Sequence, residues 1–215
     1  MQTATASVVR PTVLRAPRSA QTDSRLLDTD QIIVRSGVTW STYVALRQAM
    51  DTPGLRMAFD QGVLEIMSPS RKHEVLKKMI GRLVEVFCLD RNIALQAYGS
   101  MTMRSDLEER GLEPDECYCA GDSDDDTRRP DFAIEVVLTH QGMDKLPIYA
   151  SLGVREVWYW CDGAFALFEL VDGQYRPLGA TQLVPGLELE VLARFVARND
   201  QSAAVGEFRR AVAGR

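Results

Sequence analysis

The stretch Arg128–Leu138, RRPDFAIEVVL, decides the fold. From Asp131 onward it reads as a strand running into a core. Yet it carries an Asp at its mouth and a Glu in its middle, and a buried carboxylate is costly unless a cation or hydrogen-bond donors meet it. Alternation along a strand puts Asp131, Ala133, Glu135 and Val137 on one face and Phe132, Ile134, Val136 and Leu138 on the other. At roughly 3.3 Å per residue, Asp131 and Glu135 stand about 13 Å apart and cannot share one metal ion on a regular strand. Pro130-Asp131 is therefore read as a strand-entry turn, with Asp131 capping backbone N–H groups.

A second Pro-Asp lies upstream, in Glu113-Pro114-Asp115. Asp115 falls at the start of the preceding strand. Neighbouring strands are about 4.8 Å apart, so Asp115 and Glu135 can converge on one cation. A hard divalent ion takes carboxylate and carbonyl oxygens and completes its shell with water. The backbone carbonyl of Val136 is placed to be a further ligand.

Working outward, Thr39–Met50 shows helical spacing with Thr39 or Ser41 as N-cap. Leu55–Phe59, a turn at Asp60-Gln61-Gly62, and Val63–Met67 form a hairpin. A long helix follows over 69–90, with Ser68 as cap and Pro69 at its first position. Its apolar residues Val75, Leu76, Met79, Ile80, Leu83, Val84 and Phe87 keep a helical period. Arg71, Lys72, Lys77, Lys78 and Arg82 occupy the remainder, either as a solvated face or as phosphate contacts. Strand signals recur over 93–104 and from Asp115. A loop, GDSDDDTRR, precedes Asp131, and a short helix ends at Gly153 after Lys145. Strands are then expected at VREVWYW, AFALFEL and RPLGATQLV, divided by the turn signals CDG and VDGQ. Helices at VLARFVAR and AAVGEFRRAVAG close the chain. This order gives a mixed α/β or α+β fold, helices around a central sheet.

The 215 residues, 46% hydrophobic, suffice for one well-buried domain. The expected division is a disordered leader over 1–25, a main folded domain over 26–198 and a helical tail over 199–215. The leader slightly resembles a transit peptide but lacks the apolar segment of a secretory signal. No apolar run reaches the roughly 20 residues of a membrane span. Cys88, Cys117, Cys119 and Cys161 have neither disulfide nor zinc spacing, which points to reduced thiols in a cytoplasmic protein. The net charge of −5 opposes nucleic-acid binding at first. But residues 106–126 hold ten acidic residues and one basic one, leaving a net of +4 elsewhere. Local fields decide phosphate binding, so nucleic acid is permitted but not implied.

The pieces GVLEIMSPSRKHEVL, GLEPDECY, DFAIEVVLTH and DKLPIYASLGVREVWYW together resemble a bacterial restriction-endonuclease family often present in many copies per genome. They span about residues 40 to 190, and the combination is specific where each piece alone is weak. The family lies within the restriction-endonuclease-like PD-(D/E)XK nuclease superfamily. The resemblance implies a central mixed β-sheet flanked by helices, and an endonuclease hydrolysing DNA phosphodiester bonds with Mg²⁺ or Mn²⁺. It implies DNA as partner and admits a homodimer without requiring one. The chain departs from the superfamily pattern where Val137 stands in place of the expected Lys. The resemblance suggests that Lys145, on the following helix, takes that place; the plain alternative is a surface lysine.

Two more residues are candidates. Glu65 points opposite to Leu64 and Ile66, either as a third metal-holding carboxylate or as a solvent-facing strand residue. His73, in the first turn of the long helix, contacts a phosphate or the water network, or is simply polar. Rival readings are a non-catalytic DNA-binding or assembly module on the same fold, kept alive by Val137, and a hydrolase of a small phosphorylated substrate.

Overall fold

The computed structural model describes residues 29–214 except 51, 53, 122–128 and 140. The expected leader and most of the acidic loop lie outside the described residues.

Among the described residues, eleven strands and five helices make an α+β fold with two sheets. In chain order they are β1 (Gln31–Ser36), α1 (Trp40–Ala49), β2 (Arg56–Asp60), β3 (Val63–Ser68), α2 (Arg71–Asp90), β4 (Leu95–Gly99), β5 (Met103–Ser105) and β6 (Arg110–Leu112). There follow β7 (Glu116–Ala120), β8 (Phe132–Val137), α3 (Leu146–Leu152), β9 (Glu156–Cys161), β10 (Ala164–Val171), β11 (Gln174–Leu178), α4 (Leu189–Val196) and α5 (Gln201–Ala213). The six-stranded sheet runs β11-β10-β9-β8-β7-β4 and is mixed: β8 and β9 pair in parallel through the α3 crossover, and its other pairs are antiparallel. The second sheet, β1-β3-β2-β6-β5, is antiparallel throughout. Where one central sheet was expected, the hairpin and its neighbours form a sheet of their own.

The alternation along β8 is realised. Phe132, Ile134 and Val136 join Trp158 and Trp160 in the larger core, under α2, α4 and α5. Tyr118, Phe132 and Trp158 stack in sequence across three strands, with centroids 5.0 and 4.7 Å apart. Ala133 lies on the opposite face with Cys117, Val157 and the α3 residues Ile148, Tyr149 and Leu152, where Ala58 and Leu112 of the second sheet also pack. Glu135 shares that face, so it points between the two sheets.

Three hairpin turns follow their sequence signals. Gln61-Gly62, Asp162-Gly163 and Asp172-Gly173 all have positive φ at both central residues, as tight two-residue hairpins require. Three expectations shift. The α2 cap is Ser70, whose hydroxyl accepts from the His73 N–H, because Ser68 is still paired with Gln31 in the sheet. The strand expected over 176–184 is β11, which ends at Leu178. Beyond it the Gln182 N–H goes to the buried Glu156 carboxylate rather than to a ladder, as do the Thr181 hydroxyl and the Trp158 indole. The segment expected as a helical tail is α5, whose Ala204 and Phe208 are fully buried against α2 and α4.

Candidate active site

Continuing the β7–β8 register, in which Glu116 faces Ile134, sets Asp115 opposite Glu135. Asp115 is 1% exposed, and its Oδ2 accepts from the Val136 N–H at 2.8 Å. The residue before its proline, Glu113, is a buried anchor. It takes the Arg47 guanidinium, the Thr102 hydroxyl and the Met57 N–H, tying the Glu-Pro-Asp segment to α1 and β2.

Glu135 is 2% exposed. Its Oε2 accepts from Lys145 Nζ at 2.8 Å, and its Oε1 takes the Tyr149 hydroxyl. Lys145 is the residue just before α3, so its chain runs back over the strand end, and its Nζ also lies 3.9 Å from Glu65 Oε1. It is no surface lysine. Glu65, 3% exposed on β3, comes from the other sheet and is held by the Met143 N–H at 2.7 Å. Gly142 gives it room, since a Cβ there would stand 2.8 Å from Glu65 Oε2. The solvent-facing reading of Glu65 is thereby removed.

The electrostatics follow from burial with too few cations. Burial would lower the Lys145 ammonium, but Glu135, then Asp115 and Glu65, hold its pKa above the ordinary lysine value. Burial pushes the Glu135 carboxyl up. Lys145 opposes that shift and Asp115 adds to it. Carboxylates thus outnumber the ammonium around Lys145.

His73 lies in the first turn of α2 as expected, but its ring points inward. It is fully buried, with Nδ1 bonded to Asp30 Oδ2 at 3.0 Å and Nε2 2.9 Å from Asp115 Oδ1, so it touches no phosphate. The second contact is an ion pair by distance without the alignment of a regular hydrogen bond. Burial alone would discharge the imidazole; the two carboxylates instead raise its pKa to about 10. Burial would raise Asp115, but His73, then Lys145 and the Val136 N–H, hold it below the usual carboxylate range. Asp30, whose carboxylate also takes the Ser70 N–H at 2.7 Å, went unread in the sequence. It heads β1, an edge strand exposed along most of its length, and no short-range pattern links it to a histidine 43 residues on.

Asp131 sits at the far end of β8, accepting from the Ala120 N–H at 2.9 Å, with Arg155 3.6 Å away. That is the turn role read from the sequence. Asp131→Asn keeps an acceptor there, so urea unfolding should show a loss of about 1 kcal/mol or less. The basic face of α2 is only partly free. Lys77 is buried against Glu74, Lys78 pairs with Glu116 and Arg82 bonds Gln201, while Arg71 and Lys72 are exposed.

Asp30, Glu65, Glu135, Asp144, Lys145 and Tyr159 line a cavity of about 310 Å³ between the sheets, walled in part by Ile32 and Met67. Among the described residues, no three of His, Cys, Asp and Glu converge as a ready metal cage. The acids of the lining nevertheless offer only oxygens, and they outnumber the lysine. This fits an ion that uses one or two carboxylates and keeps its waters, as Mg²⁺ does.

A sequence model of the Uma2 family, described as "Putative restriction endonuclease", matches residues 40–199. The chain belongs to this family. Membership supports a nuclease role for the site, and the matched residues include Glu65, Asp115, Glu135 and Lys145. No curated protein matches the chain. Among the described residues, no helix is long and apolar enough to cross a membrane.

Proposed function

We propose that this member of the Uma2 family is a metal-dependent endonuclease that hydrolyses DNA phosphodiester bonds in the cavity between its two sheets. The observation that supports it is the buried Lys145 ammonium on Glu135, with Asp115 set opposite on the neighbouring strand. Glu135 and Asp115 would hold Mg²⁺ or Mn²⁺, with Glu65 as a further carboxylate across the cavity. When bound, such an ion polarises phosphoryl oxygens and acidifies a water.

The chain's own residues supply the rest. Lys145 orients the attacking water and offsets charge developing on the phosphorus oxygens. Tyr149 and Lys145 fix the Glu135 carboxylate from two sides, and His73 and the Val136 N–H fix Asp115. Arg71 and Lys72, exposed at the head of α2, would meet the DNA backbone.

Calorimetric titration of Mg²⁺ tests the metal assignment. Wild type should bind one ion. Asp115→Ala should weaken binding at least tenfold, because it removes a carboxylate ligand and its negative charge. Unchanged affinity in the variant would mean that Asp115 is the wrong acid.

A further inference from the structure

Three tyrosines lie around the Glu135 face, and two have spent their hydroxyls. Tyr149 donates to Glu135, and Tyr175 donates to the Val154 carbonyl. Tyr159 has not. It faces Glu135 in the parallel β8–β9 register, lines the cavity, and among the described residues its hydroxyl makes no hydrogen bond. Its ring packs on Phe168, edge to face at 5.9 Å and 81°. The hydroxyl therefore keeps a free donor hydrogen on a packed ring.

The surroundings say what it would donate to. Asp30, Glu65, Glu135 and Asp144 all line the cavity and already have donors of their own. A phosphodiester entering this space meets carboxylates and, among the described residues that line it, one ammonium. It needs neutral donors that do not add to the repulsion. A phenol is such a donor.

We infer that Tyr159 is a substrate-contacting catalytic residue, whose hydroxyl donates a hydrogen bond to a non-bridging oxygen of the phosphoryl group held beside Lys145. The inference rests on the phosphodiesterase reading above. No bond to the phenol forms or breaks, and its proton stays on oxygen. Its contribution is to bind the anion and to strengthen as charge gathers on that oxygen in the transition state.

Tyr159→Phe is the variant of choice, because it keeps the ring and its contact with Phe168. Two readouts decide. The first needs no catalysis: inorganic phosphate is titrated calorimetrically into wild type and variant with saturating Mg²⁺. The variant should bind about tenfold to 100-fold more weakly, the worth of one lost hydrogen bond to a charged acceptor. The second is single-turnover cleavage of a duplex oligonucleotide. The rate should fall by about 10- to 100-fold with little change in the affinity for DNA. One diastereomer of a phosphorothioate at the cut position should slow wild type and leave Tyr159→Phe no slower than it already is. A purely structural tyrosine would not produce that pattern. Equal phosphate affinity and equal rates would overturn the inference and leave the nuclease reading standing. Tyr159-dependent phosphate binding without any cleavage by wild type would keep the tyrosine and remove the nuclease. Neither phosphate binding nor cleavage by wild type would remove both.

Discussion

Lys145→Ala is expected to lower single-turnover cleavage by about 10²–10³, the usual cost of deleting a preorganised donor at developing charge. The size follows from where the ammonium sits. Lys145 is 12% exposed and is held on Glu135 at 2.8 Å, so its field acts with little solvent screening. Metal affinity should survive or rise, since a neighbouring positive charge opposes a cation. DNA affinity should change little, because one phosphate contact is a small part of the whole. The rescue variant is specified by the fold. Val137 shares the face of Glu135 and lines the same cavity, so Lys145→Ala/Val137→Lys would bring an amine from the strand. Partial recovery of rate in the double variant is the expected result. Near wild-type rates in the single variant would contradict the displaced-lysine role.

The second large effect concerns stability. The folded state holds a proton on His73 up to a pKa of about 10, whereas an unfolded histidine releases it near 6.5. Between those values the folded state binds one more proton than the unfolded state. The contribution of His73 is therefore fully present below pH 6.5 and is lost as the pH rises towards 10. The slope is about 1.4 kcal/mol per pH unit. Urea unfolding of metal-free protein in EDTA, from pH 6 to 10, would show this loss against His73→Gln, whose curve should lack it. At pH 6 the variant should be less stable by about 3–5 kcal/mol, because Asp30 and Asp115 lose the cation between them. Parallel curves for the two proteins would mean that the imidazole is neutral in the fold.

Much of this could be read from local pattern. Alternation along β8 placed Glu135 and Phe132 on opposite faces, and Asp-Gly pairs marked two of the hairpins. The Pro-Asp at 114–115 was separated from the one at 130–131 by strand geometry alone. What escaped depended on distant partners. Ser68 and Ser70 are equivalent as local cap signals, and only the pairing of Ser68 with Gln31 selects Ser70. β1 carries no alternation to detect, because both of its faces are largely exposed. Asp30 gains its meaning from a histidine on another element. Glu156 falls within the expected strand VREVWYW with no local mark of its role, yet it holds a loop on its carboxylate where a strand was expected after Leu178. His73 was singled out for its place at a helix start, but its direction, inward between two acids, was set by packing.

The most direct measurement is nicking and linearisation of supercoiled plasmid DNA by the full chain, with Mg²⁺ or with EDTA, beside Glu135→Gln. The variant keeps the shape of the buried side chain and removes its charge. Wild type should cut with Mg²⁺ and stop in EDTA, and Glu135→Gln should be slower by about 10²-fold or more. Absence of metal-dependent cutting by wild type, or equal cutting by Glu135→Gln, would contradict a nuclease centred on Asp115, Glu135 and Lys145.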